Sequence, residues 1–234
     1  RELLGFDVQD PALPVAAVVQ QIAGLRPNPK LRPSIAPHAP YSVAPSLMRA
    51  IAEASRGSRI SMHVGESAEE IEFLQTGQGA WRELLARLGV WTDTWQPPRT
   101  GPIEYIATCG LVSDRLLAVH GVQLTDDELH TLASAGATLV TCPRSNRWVG
   151  AGDPPIERFY RSGVRVAVGT DSLASVEDLN VFAELKLMRD LAPAAPARQI
   201  PESATKSGAD ALGFGDELGT IEPGKRAELI AVTV

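Results

Sequence analysis

The chain has little that would staple or anchor it. Cysteine occurs twice in 234 residues, as Cys109 and Cys142, far apart and without a CxxC pair. That sets aside a disulfide-built fold and reads as free thiols in a reducing compartment, so a cytoplasmic location is expected. No Lys/Arg cluster stands out, and 22 basic against 28 acidic residues give a net charge of −6. A surface for nucleic acid or anionic lipid is therefore not expected. No apolar run reaches the ~18 residues that span a bilayer, so no membrane partner is expected either. Short internal repeats are lacking, and the one biased tract is a Pro/Ala linker, "APAAPARQIP" at 192–201.

What is there is enough for a core. The length suits one large domain or two small ones, and 44% of the residues are hydrophobic. Short β-rich runs recur and each ends in a polar residue: "LRPSIAPHAP" (31–40), "SRISMHVGES" (58–67), "RLLAVHGV" (115–122), "GATLVTCPRS" (136–145) and "GVRVAVGTDS" (163–172). Between them lie helical patterns. "APSLMRAIAEAS" (44–55) has Pro45 near its start, and "GQGAWRELLARLG" (77–89) ends in Gly89. "LTDDELHTLASAG" (124–136) opens on a Thr125 cap with Glu128 three residues on, and "PIERFYRSG" (155–163) repeats the plan. A last helix is expected over 202–214.

Strands alternating with helices give a parallel sheet, either doubly wound or closed as a (β/α)8 barrel. The polar residues separate the two. His38, His63, His120, Arg144 and Asp171 fall at or just past the ends of five successive runs. In a barrel those ends converge on one mouth; in an open sheet they spread along an edge. A partial barrel is expected, with "RELLGFD" (1–7) as the tail of a further strand. "LGTIEPGKRAELIAV" (218–232) differs in kind, as two short β-runs around a Pro-Gly turn. The chain starts at Arg1 and stops in "ELIAVTV", which reads as a piece of a longer protein.

The mouth residues carry chemistry. His63 is followed three positions later by Glu66, and a carboxylate is expensive to bury without a partner. Glu66 there could move protons, although a charge favoured at a helix N-terminus explains it too. His120 precedes a glycine after an apolar strand. Asp171 sits in a Gly-Thr-Asp-Ser turn, where a helix cap is the plain alternative. Two imidazoles and a carboxylate from separate strands suit a zinc-type site. His38, between prolines and beside Tyr41 and Ser42, could touch a substrate. Arg144, Ser145 and Asn146 could orient a polar one, or the latter two could cap a turn. His130 reads as solvated surface. The insertion 91–104, with Trp91 and Trp95, is either a pocket wall or packing.

In this order "PHAPYS", "SMHVGES", "AVHG", "CPRSN", "GTDSLAS" and "LGTIEPGKRAELI" resemble the amidohydrolase superfamily, in its cytosine-deaminase/chlorohydrolase branch with the adenosine-type deaminases. "GQGAWRELLARLG", "PIEYIATCG" and "CPRSN" resemble aminodeoxyfutalosine deaminases, which serve a menaquinone pathway. The resemblance implies residues 1–214 as a partial barrel, from the tail of the third strand through the eighth, and 215–234 as part of a β-sandwich domain. It implies one divalent cation, zinc before iron, held by His63 and Asp171 with His120 beside it. Glu66 would protonate a ring nitrogen, while His120 and Asp171 handle the water. His38, Glu66, Arg144, Ser145 and Asn146 would contact the substrate, a small heterocycle such as an amino-purine nucleoside, and a homodimer stays open. Two departures stand out. The family's His-x-His pair occurs nowhere in this sequence, and Val176 replaces the Asn that many relatives carry after "DSLAS".

The reaction expected is hydrolytic deamination with release of ammonia. Loss of a halide, opening of a cyclic amide, or a metal-free binding barrel are the alternatives. Glu66 favours deamination, because protonating a ring needs a donor at that place.

Overall fold

A computed structural model describes residues 2–3, 12–25 and 28–231. β1 (Glu2–Leu3), α1 (Ala12–Ala23), β2 (Ala36–Pro37) and α2 (Pro45–Ala54) lead to β3 (Ile60–Val64). Then α3 (Ala68–Thr76), α4 (Ala80–Arg87) and α5 (Pro102–Thr108) lead to β4 (Leu116–His120). α6 (Asp126–Ser134) precedes β5 (Thr138–Thr141), and α7 (Pro143–Trp148) and α8 (Ile156–Arg161) precede β6 (Arg165–Val168). α9 (Val181–Leu191), α10 (Gln199–Ala204) and α11 (Lys206–Ala211) follow.

Every strand pair is parallel: β1 with β2, then β3 through β6 in chain order. The backbone N–H of His63 donates to the carbonyl of His38 (2.9 Å), which links β2 to β3. The order never reverses, whereas a doubly wound sheet reverses at its switch point. The chain thus folds as part of a (β/α)8 barrel. The five expected runs are β2 to β6, and the expected strand tail holds β1.

The two faces of the sheet differ. Ile60, Met62, Val64, Leu116, Ala118, Leu139 and Val166 join one large core with the helices. Leu117, Ala167 and Ala211 form a small cluster with Val140 against it. On β3 the alternation leaves Ser61 and His63 half-buried, away from the helix side. A parallel sheet with a packed helical face and a functional strand-end rim follows from this pattern.

Local chemistry sets the helix ends. Thr125 and Glu128 form the reciprocal capping box at α6. Ser67 accepts the Glu70 N–H at α3, and Gly77 closes that helix at φ 70°. Three expectations need adjustment. The last helix is two, α10 and α11, broken at Thr205 (φ −111°, ψ −90°), a backbone that no α-helix tolerates. After Asp171 the chain stays in turns past the buried Val176, and α9 starts only where the Asn180 side chain accepts the N–H groups of Phe182 and Ala183. No strand forms among the described residues of 215–231. A β-run needs a partner ladder, and none pairs with it there. Assigning 215–234 to a β-sandwich domain stays a proposal.

Insertion 91–104 is packing. Trp95 is buried, stacks on Phe73 at 4.7 Å, and donates its indole N–H to the Tyr105 hydroxyl (3.2 Å). Trp91 lies edge-on to both Phe73 and Trp95, under the Arg82 guanidinium.

Candidate active site

His63, one residue before the end of β3, lies on the side away from the helices, and β4 ends beside it. The register pairs His63 with Val119 and Val64 with His120. By alternation His120 would follow Leu116 and Ala118 onto the helix side. It does not, because its φ is 78°. The left-handed turn breaks the alternation, and the ring centroid lies 4.7 Å from that of His63. Asp171, past β6, is also left-handed at φ 60°. Arg99 is the third such non-glycine among the described residues. Each of these conformations costs on the order of 1–3 kcal/mol and persists where surroundings impose it, as at sites.

The side chains converge. One nitrogen each of His63 and His120 and one oxygen of Glu66 lie within 4.8 Å of one another. Glu66 Oε1 is 3.6 Å from His120 Nε2. His120 is fully buried, and its Nε2 has no hydrogen-bond partner among the described residues. A buried ring nitrogen left without a partner is costly, so this one calls for an occupant. Two imidazoles and a carboxylate are donors that zinc and similar cations take. The residues therefore fit a divalent cation. Asp171 is outside this tight trio, yet its charge raises the Glu66 carboxyl, and the two rings help to lower its own.

Neighbouring residues hold the trio. The Asn146 side-chain amide hydrogen-bonds His120 Nδ1 at 3.0 Å, leaving Nε2 to face Glu66. The hydroxyls of Ser145 (2.7 Å) and Ser175 (2.8 Å) donate to Asp171 Oδ2. Both serines and Asn146 are buried. Ser145 and Asn146, read from the sequence as substrate contacts, thus spend their side chains on site residues. Arg144 binds the Asp178 carboxylate at 2.6 Å, and its backbone N–H donates to Glu184 (3.0 Å). His38 stands one strand earlier, its ring 5.2 Å from that of His63 and its Nδ1 2.6 Å from the Ser42 hydroxyl.

Burial and the Asp171 charge push the Glu66 carboxyl up to about 7. At neutral pH it therefore holds a proton part of the time, which suits a general acid. Burial, then His63, keep the His120 ring neutral well below the usual histidine range. Burial would raise Asp171, but the Ser145 and Ser175 hydroxyls, then His120 and His63, outweigh it and keep the carboxyl ionised.

A cavity of about 550 Å³ opens beside Glu66, with Tyr41, Trp81, Leu84 and Arg87 in its lining. Trp81 stacks on Tyr41 at 3.7 Å, so this wall is a rigid aromatic plane. Its size falls in the range of small-molecule sites, about 300–1,000 Å³. No local pattern in the sequence marks Trp81, Ser175 or the hold of Asn146 on His120. A tryptophan in a helical pattern reads as core, and a serine in "SLAS" reads as a turn.

The chain is similar in sequence to several known proteins. Over 194 residues the chain is 35% identical to an aminodeoxyfutalosine deaminase of Deinococcus radiodurans, covering 80% of this chain and 46% of that protein. It is 33% identical over 216 residues to a 5-methylthioadenosine/S-adenosylhomocysteine deaminase of Teredinibacter turnerae, covering 88% and 44%. Among solved structures, an adenosine deaminase from Xanthomonas campestris with bound zinc superposes with a TM-score of 0.72 at 32% identity, covering 92% of this chain and 46% of that one. The chain spans about half the length of these relatives. The amidohydrolase family model matches residues 15–234, every strand with a site residue at its end included, and to that family the chain belongs.

Proposed function

We propose that the protein is a metal-dependent hydrolytic deaminase of adenosine-like nucleosides, working in the cytoplasm. The observation that carries this is the Glu66 carboxyl, half-buried and 3.6 Å from His120 Nε2 in the company of His63. The relatives named as deaminases of adenosine-type compounds support it. Among their substrates we take aminodeoxyfutalosine as the first to test, on the identity to the Deinococcus protein.

His63 of the trio and Asp171, whose charge interacts with both rings, would hold the cation, with His120 against it and Glu66 kept for proton transfer. Zinc is the first choice, iron the second. When bound, the cation supplies a water acidified from about 15.7 to near 7. The remaining work falls to side chains. His120, neutral and turned by Asn146, orients the attacking water through Nε2. Asp171, kept ionised by Ser145 and Ser175, takes a proton. Glu66 hands a proton to the ring nitrogen beside the attacked carbon, where charge develops. The proton held by Asp171 passes to the amino group, which leaves as ammonia; the ring nitrogen keeps the proton from Glu66, and the hydroxyl proton released as the carbonyl forms restores Glu66. The Tyr41–Trp81 wall would lie along the part of the nucleoside that does not react, and His38 would touch the ring. Ser145 and Asn146 support the site, and Arg144 would reach substrate only by releasing Asp178.

The test uses the natural full-length protein with zinc. Ammonia release is measured for aminodeoxyfutalosine, methylthioadenosine, S-adenosylhomocysteine, adenosine and a chlorinated purine. Aminodeoxyfutalosine should give the highest kcat/KM, and Glu66→Gln should lower kcat by about 10²–10⁴-fold. Chloride release without ammonia release would overturn deamination. Full-length protein that binds no metal would overturn catalysis altogether.

A further inference from the structure

Glu70 lies in the first turn of α3, is fully buried, and has no part in the roles above. A buried carboxyl is expensive and asks for a reason. The helix dipole would be served as well by an exposed acid, and Glu69, one residue earlier, is one. Glu70 instead turns its oxygens out of its own helix. Oε1 accepts the backbone N–H of Gly65 (2.8 Å), and Oε2 accepts that of Glu66 (3.0 Å). Both donors precede the Ser67 cap, so they belong to the loop that carries Glu66 and not to the helix.

The same loop is held from the other side. Gly121 N–H donates to the Val64 carbonyl (3.1 Å), and Gln123 N–H donates to that of Gly65 (2.8 Å). Gly65 sits at φ 62°, and a Cβ there would fall 2.5 Å from Leu124 Cδ2. The peptide units on both sides of Gly65 are therefore pinned between α3 and the loop after β4. With its backbone pinned, Glu66 has only its own side-chain torsions left, and its carboxyl is directed at His120 Nε2.

We propose that Glu70 is a positioning residue: its buried carboxyl clamps the Gly65–Glu66 backbone and thereby aims the Glu66 carboxyl at the reacting centre. The inference rests on Glu66 being the proton donor. Glu70 touches neither substrate nor cation and acts through Glu66 alone.

The test is Glu70→Gln in the natural full-length zinc protein. Glutamine has the same shape but sets an NH2 group against one of the two N–H donors. A catalytic group displaced by about 1 Å can cost 10²-fold. The kcat should fall by about 30–100-fold, with KM held within about twofold. The loss should vanish in a Glu66→Gln background, since a group acting through Glu66 has nothing left to aim. The amides of Gly65 and Glu66 should exchange slowly in the natural protein and quickly in the variant. An unchanged kcat would overturn the inference. So would a loss that multiplies on top of Glu66→Gln, because that describes general damage. If Glu70→Gln does not fold, Glu70→Asp, with a shorter reach, takes its place under the same expectations, and fast exchange of the two amides in the natural protein would overturn the clamp without any variant. Glu66→Gln with full activity would instead sink the proton-donor reading, while leaving the exchange result standing.

Discussion

At the scale of single residues, the site is set by where backbones leave their ordinary regions. His120 reaches His63 because its φ of 78° abandons the strand's alternation, and Asp171 likewise turns at φ 60°. The residue types were legible: histidine, glutamate and aspartate at strand ends announce a site through their cost of burial. Their orientations were not, since no local pattern predicts a left-handed histidine. Glu70 carries no signal in the sequence for a related reason, because an acid in the first turn of a helix has an ordinary explanation. Its titration gives a separate prediction. Burial pushes its carboxyl up to about 8 from the ordinary 4.5 of a glutamate, against the pull of the Gly65 and Glu66 N–H groups. The folded state then keeps a proton that the unfolded chain gives up. That contribution to stability is complete below about 4.5, declines as pH rises and is gone above about 8. Denaturant midpoints of the full-length protein should therefore fall more steeply across this window than those of Glu70→Gln, which cannot titrate. Equal slopes would mean that Glu70 is already ionised when buried.

At the scale of elements, the sequence was readable wherever a helix or strand is specified by its own neighbours. The Thr125 capping box, Pro45 in the first turn of α2 and the apolar runs of β3 to β6 stand where their local chemistry puts them. It was unreadable where a distant partner decides. The tryptophans of 91–104 could have lined a pocket, and packing against Phe73 put Trp95 in the core with Trp91 against it, while Trp81 lines the cavity by stacking on Tyr41. The segment 218–231, with β-like spacing, makes no strand without a ladder to join. The β3–α3 loop is the element on which function turns. Gly65→Ala adds a Cβ at a left-handed residue and 2.5 Å from Leu124. It should cost about 1–3 kcal/mol of stability and lower kcat, because the loop must shift Glu66 to relieve the contact. Unfolding free energies and rates measured on one preparation would check both. A destabilised variant with native kcat would show that the loop tolerates the shift.

At the scale of the whole molecule, a barrel arc has edges. β6 pairs with β5 on one side, and among the described residues no strand pairs with its other side. A parallel edge that no strand pairs is a template for association. The 234-residue chain expressed alone should self-associate as its concentration rises, as light scattering would show, and melt without a sharp transition. A monomer with one cooperative transition would count against this. By itself the sequence determined the order of strands and helices, the parallel sheet and the residue types at its rim, because periodicity, caps and apolar runs act over a few residues. Which ring nitrogen faces Glu66, which hydroxyls hold Asp171 and which buried carboxyl clamps the β3–α3 loop follow from packing between elements in the tertiary structure. Those contacts join residues as far apart as Asn146 and His120, or Ser145 and Asp171. Such pairs exist only once the sheet has brought its strand ends together.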